Sequence, residues 1–134
     1  MYFVTQELEF CYGHRLLNYD GKCKYLHGHN GRIAVRLGAK VLDDRGMVID
    51  FNDIKRLLRA WIDEKLDHQL LLHEADPLLP VLRAQGQLIF VMDCNPTAEN
   101  IARLIYEQAV HMGLPVDEVR LWETARSSTL YRRD

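Results

Sequence analysis

The chain has 134 residues, enough for one domain with a real core and too few for two ordinary ones. Hydrophobic residues make up 48% and charged ones 27%, a globular balance that excludes a disordered chain. Seventeen basic against nineteen acidic side chains leave a formal charge of −2, so no global field draws the chain to nucleic acid.

No stretch approaches the ~20 apolar residues that span a bilayer, so no membrane partner is expected. Met1 to Glu7 shows no basic segment followed by an apolar run, which points to the cytoplasm. In that setting Cys11, Cys23 and Cys94, an odd number without framework spacing, read as thiols and not as disulfides.

In chain order, Val4, Leu8, Phe10 and Tyr12 share one parity and predict a first strand. From Arg32 to Val41 the residues alternate cleanly, with Ile33, Val35, Leu37, Ala39 and Val41 on one side, a long half-buried strand that pairs antiparallel with the first. Asp43-Asp44-Arg45-Gly46 is turn chemistry, and Met47 to Phe51 is a short run able to pair briefly. Asn52 is the expected cap of a helix with Ile54, Leu57, Leu58, Trp61 and Leu66 on its apolar stripe, ending near Asp67-His68.

Asp76-Pro77 and Pro80 then predict an irregular connection with one short helical turn, and Leu88 to Met92 a short extended segment. Thr97 caps a second helix with Ile101, Leu104, Ile105, Ala109 and Met112 inward, stopped by Gly113 and Pro115. Val119 to Thr124 and Thr129 to Arg132, joined by Arg126-Ser127-Ser128, form a closing hairpin. The expected fold is therefore a single α+β domain over 1–134: a four-stranded antiparallel sheet with two helices on one face. Its two open edges are an aggregation hazard that pairing between subunits would remove.

His27-Gly28-His29 opens the Arg32 strand, and residues two apart on a strand point to the same side. If the first two strands pair, His14 returns beside them, and three neutral imidazoles around one zinc with a fourth position open make a catalytic type of site. The same triplet also reads as a plain polar turn. Cys23 admits two uses: a fourth ligand that closes the site, or a thiolate favoured by Lys22 and Lys24. Spacing leaves both open. Asp67-His68 at a helix end suits acid/base work, and equally suits a solvated surface. Glu123 shares the parity of Val119 and Leu121, so its carboxylate points inward and calls for a ligand with paired N–H groups.

Six stretches together carry a resemblance: Phe10-Cys-Tyr-Gly-His14-Arg-Leu, Cys23-x-x-x-His27-Gly-His29-Asn30, Gly46-Met-Val-Ile-Asp-Phe51, Leu66-Asp67-His68, Pro96-Thr-Ala-Glu-Asn100 and Trp122-Glu123-Thr124. In that order, from Phe10 to Tyr131, the chain resembles the 6-pyruvoyltetrahydropterin synthase and 6-carboxytetrahydropterin synthase family. The resemblance implies the tunnelling fold, whose subunits join edge strands into trimeric β-barrels that stack as hexamers. It implies zinc on His14, His27 and His29, Cys23 as catalytic base, and Asp67 and His68 as the rest of a proton relay. Glu123 matches the pterin anchor, and Thr97 and Glu99 match pterin-contacting positions, in a pocket between neighbouring subunits.

The implied substrate is 7,8-dihydroneopterin triphosphate, with two outcomes in the family: elimination of triphosphate to the pyruvoyl product, or side-chain cleavage to 6-carboxytetrahydropterin with loss of acetaldehyde, toward queuosine. The short Cys-x-x-x-His spacing resembles the bacterial carboxy-forming enzymes. Lys22, Lys24 and Arg126 are candidate triphosphate contacts. Cys11-Tyr12-Gly13 departs from the small residues that commonly precede the first zinc histidine, placing a tyrosine beside the metal. From outside this chemistry, a non-catalytic pterin- or purine-binding oligomer and a Cys-His hydrolase also use parts of the set.

Overall fold

A computed structural model describes residues 1–134. Its sheet has six strands, β1 (Tyr2–His14), β2 (His27–Ala39), β3 (Gln69–His73), β4 (Ile89–Met92), β5 (Val116–Trp122) and β6 (Ser128–Tyr131). Their spatial order is β4-β3-β1-β2-β5-β6. The four expected antiparallel strands are β1, β2, β5 and β6. The sheet is nevertheless mixed and not purely antiparallel, because β3 and β4 add on parallel to β1 and to each other.

Alternation decides which face is covered. Leu8, Phe10, Tyr12, Ile33, Val35, Leu37, Val119 and Leu121 are all buried, and their sequence neighbours face out. The register places Leu8 opposite Ile33 and Val35 opposite Val119, so these side chains share one face. Two long helices belong to the same core. The first runs through Phe51–Ile54, Lys55–Arg59 and Ala60–Lys65, its middle segment widened to π-helical turns. We call the whole of it α1. Its buried residues Ile54, Leu58, Ile62 and Leu66 recur every fourth position, a spacing that drifts by about 40° per step on an α-helix. Wider turns reduce that drift and keep the stripe on the sheet. A short α2 (Leu78–Ala84) follows β3, and α3 (Ala98–His111) contributes Ile101, Ala102, Ile105 and Ala109 to the core.

The caps explain the helix boundaries. Thr97 caps α3 as expected, its side chain accepting from Asn100 N, and Gly113 takes the left-handed conformation (φ 83°) just past the end. The cap of α1 is Asp50 and not Asn52, since the Asp50 carboxylate accepts from Asn52 N at 2.8 Å. No strand forms at Met47 to Phe51. No helix is long and apolar enough to cross a membrane.

Candidate metal centre and ligand cleft

β1 ends on His14 and β2 begins on His27, and the two are direct partners in the antiparallel ladder, with Tyr12 opposite His29. All three histidines continue the covered face of the sheet past its apolar rows. Their ring centroids lie 4.6 to 5.1 Å apart. One ligand nitrogen from each falls within 4.8 Å of the others, a group suited to one metal ion, and Cys23 is not part of it.

Two of the rings are oriented by the backbone. His14 Nδ1–H donates to Pro96 O at 2.6 Å, and His27 Nδ1–H donates to Tyr25 O at 2.7 Å. Each bond leaves Nε2 unprotonated and directed inward, the tautomer a metal needs. Burial pushes the His14 imidazole down to about 4, the neighbouring His27 and His29 adding to it against the Pro96 carbonyl. His14 is therefore neutral at pH 7. His14 Nε2 and His29 Nε2 stand 3.2 Å apart, close enough to converge on one cation.

Glu123 lies one residue beyond the end of β5, on the inward parity of Val119 and Leu121. Its carboxylate reaches to 3.9 Å from both His14 Nε2 and His29 Nε2. A cleft of about 350 Å³ opens there, walled by His14, Cys23, Thr97, Glu99 and Glu123 together with Ser127, Ser128 and Thr129 of the hairpin. Cys23 rides on a single turn (Lys22–Lys24) of the loop between β1 and β2. Three interactions fix that loop. Leu16 N donates to Cys23 O, the Asn95 side chain bridges both Leu17 N and Leu17 O, and Arg15 grips Asp76 with two N–H groups.

Asp67 and His68 are placed elsewhere. Asp67 accepts from Cys11 N and from His68 Nδ1–H, each at 2.8 Å, while His68 N donates to Cys11 O. Burial alone would raise the Asp67 carboxyl, and the Cys11 and His68 bonds outweigh it and hold the group below the usual range. His68 adopts φ 58°, a left-handed backbone, and its ring, 78% exposed, lines a groove with Cys11, Gly13, Gln69 and Leu70 that His27 and His29 also line. Within one chain the structure thus groups the three histidines at one metal locus, lines the cleft beside it with His14, Cys23, Thr97, Glu99 and Glu123, and sets His68 on the groove that His27 and His29 line.

Residues that sequence reading left out of the site are Ser127 and Ser128, which read only as turn chemistry, Thr129, which read only as the start of a strand, and the pair Arg15 and Asp76, whose spacing carries no signal. Tyr12 is more deeply set than expected. It is 3% exposed, stacked on Phe10 and edge-on to His14 at 5.3 Å. Burial, and after it the charge of Glu123, push its phenol upward, so the hydroxyl keeps its proton.

Comparison with known proteins gives the family. The family described as 6-pyruvoyl tetrahydropterin synthase matches residues 3–134. A 6-carboxy-5,6,7,8-tetrahydropterin synthase of Rickettsia conorii is 39% identical over 127 residues, 90% of this chain and 92% of that one. Among solved structures, an uncharacterized protein of Wolinella succinogenes superimposes with a TM-score of 0.81 at 26% identity, over 99% of this chain and 98% of that one. The 6-pyruvoyl tetrahydropterin synthase of Caenorhabditis elegans follows at 0.72 and 26%, covering 100% and 98%. With sequence, fold and histidine cluster in agreement along nearly the whole chain, it belongs to the 6-pyruvoyl tetrahydropterin synthase family.

Proposed function

We propose that this protein is a zinc-dependent lyase that converts 7,8-dihydroneopterin triphosphate to 6-carboxy-5,6,7,8-tetrahydropterin, a step toward queuosine. The observation that carries the reading is a cluster of three metal-ready imidazoles, one of which lines a cleft with a thiol and an inward carboxylate. The name of the Rickettsia conorii relative supports the carboxy product over the pyruvoyl one.

His14, His27 and His29 would hold the zinc, for which three nitrogen donors with an open fourth position are the matching set. Bound zinc supplies Lewis acidity to the hydroxyls of the substrate's side chain. Glu123 receives the paired N–H groups of the pterin ring through its two oxygens, which fixes the side chain beside the histidines. Thr97 and Glu99 flank the ring. Cys23, as the base, takes a proton from the substrate side chain. Lys22, Lys24 and Arg126 are exposed at the rim and meet the triphosphate.

His68 returns a proton through Nε2, its Nδ1–H being held by Asp67. Since this pair lies outside the cleft of its own chain, it serves the cleft of a neighbouring subunit. The edge of β1 from Tyr2 to Phe10 has no strand beside it on the side of β3, and the outer edge of β6 is also open. Pairing those edges builds the trimeric barrel, and two trimers make the hexamer.

The test is mass analysis of the product formed from 7,8-dihydroneopterin triphosphate by zinc-loaded protein. Acetaldehyde with the carboxypterin is the expected result. The pyruvoyl product would instead assign triphosphate elimination, and a zinc-replete protein that leaves the substrate intact would overturn the reading.

A further inference from the structure

Tyr12 lies against His14 and His29 with its polar end unpaired. Its hydroxyl is the one buried side-chain polar atom of the protein without a hydrogen-bond partner. Buried hydroxyls are nearly always paired, so an unpaired one beside a ligand cleft calls for an explanation. Its direction comes from the backbone. On β2 the residue next to the Tyr12 partner on the covered face is Gly31, where other rows of the sheet carry Ile33, Val35 and Leu37.

A methyl group at Gly31 would lie 2.9 Å from Tyr12 Cε1, so the ring occupies the space that glycine leaves open. Gly31 lies one residue past the Arg32–Trp122 pair, and Glu123 lies one residue past it on β5. Antiparallel register therefore sets Gly31 beside Glu123. The tyrosine ring thus crosses β2 through a notch in the sheet, heading for the strand that carries the Glu123 carboxylate. That carboxylate is turned to the histidines, 3.9 Å from two of them.

Resting on the pterin reading of Glu123, we propose that Tyr12 is a positioning residue whose hydroxyl, passed across Gly31, donates a hydrogen bond to the Glu123 carboxylate when that group turns from the histidines to a bound pterin. Glu123 then has a fixed donor on the protein side and offers its remaining lone pairs to the ligand. The hydroxyl is orphaned only while the carboxylate faces the metal locus. Without the tyrosine, a pterin would have to order the carboxylate by itself, and binding would weaken.

The experiment is a double-mutant cycle on the zinc-loaded protein, with neopterin binding read by its fluorescence. Tyr12→Phe should weaken neopterin about tenfold, as expected for a lost hydrogen bond to a charged group. Melting temperature and zinc content should stay at wild-type values. In a Glu123→Gln background the same substitution should have little further effect, an outcome that a purely structural tyrosine would not give. Equal affinity of Tyr12→Phe and wild type, or an equal loss in both backgrounds, overturns the inference alone. A wild type that binds no neopterin overturns the pterin reading and the inference with it.

Discussion

His14 faces His27 directly across the ladder of β1 and β2, and His29 is the next residue of β2 on the same face. Strand side chains alternate with period two, so a slip of one residue in this pairing would send His14 to the opposite face from the other two. Buried rows set the register: Phe10 with Gly31 and Leu8 with Ile33. The apolar core thus positions the metal ligands.

His14→Ala removes both an imidazole and the bond that ties it to Pro96. Metal affinity should fall by at least about 100-fold, given that losing even an outer-shell partner costs roughly 10- to 100-fold. Equilibrium dialysis against zinc checks this, with far-ultraviolet circular dichroism to show that the sheet survives.

Gly31→Ala should destabilise the fold by about 1–3 kcal/mol, the usual cost of an added methyl in a packed site. The new carbon meets Tyr12 Cε1 at 2.9 Å and Leu121 Cδ1 at 3.5 Å, and Tyr12 is itself wedged between Phe10 and the histidines. Urea titration measures the loss. Ala at Gly46, where nothing lies within 4 Å, acts through its φ of 80° and not through packing, which separates the two mechanisms.

Asp76 ties the Cys23 loop to the N-terminus of α2, accepting from Arg15 and from Leu78 N with its side chain fully buried. Burial acts to raise its carboxyl, but the Arg15 and Leu78 bonds prevail and hold it below the ordinary range. A depressed carboxylate adds stability above its unfolded pKa of about 3.9, and that stability disappears as pH falls through the lower folded value. Asp76→Asn should therefore cost about 3 kcal/mol at pH 7, where the Arg15 charge loses its partner. Below pH 4 the gap to wild type should close. Unfolding curves at pH 7 and pH 3 test both halves.

Much of this site is legible in the sequence because strand parity carries it. His27 and His29 two apart, His14 on the parity of Phe10, and Glu123 on the parity of Leu121 all follow from period two. β3 escapes such reading. Leu70, Leu71 and Leu72 form a continuous apolar run straight after a helix, and their parallel partners Phe90 and Val91 lie some distance along the chain. Alternation has nothing to mark there. Asp50 lost out to Asn52 as a cap because both are good capping residues and only the backbone of Ile49 to Phe51 chooses between them. Asp67-His68 is recognisable as a dyad, but its distance from Cys23 depends on how β3 joins the sheet edge.

That distance leads to a complementation test. Cys23 lines one cleft with His14, and His68 of the same chain lines another groove beside Cys11, His27 and His29. If a site takes its thiolate from one subunit and its imidazole from the next, Cys23→Ala and His68→Ala are each inactive alone, yet their mixture contains intact sites. Random assortment of equal amounts restores about a quarter of them, since each of the two contributing neighbours must be of the right kind. Co-unfolding and refolding the two variants, with zinc present, should recover about that fraction of wild-type turnover. A mixture that stays as inactive as its components would place the relay within a single chain, and would require the loop of Cys23 to move around the end of β1 to reach His68.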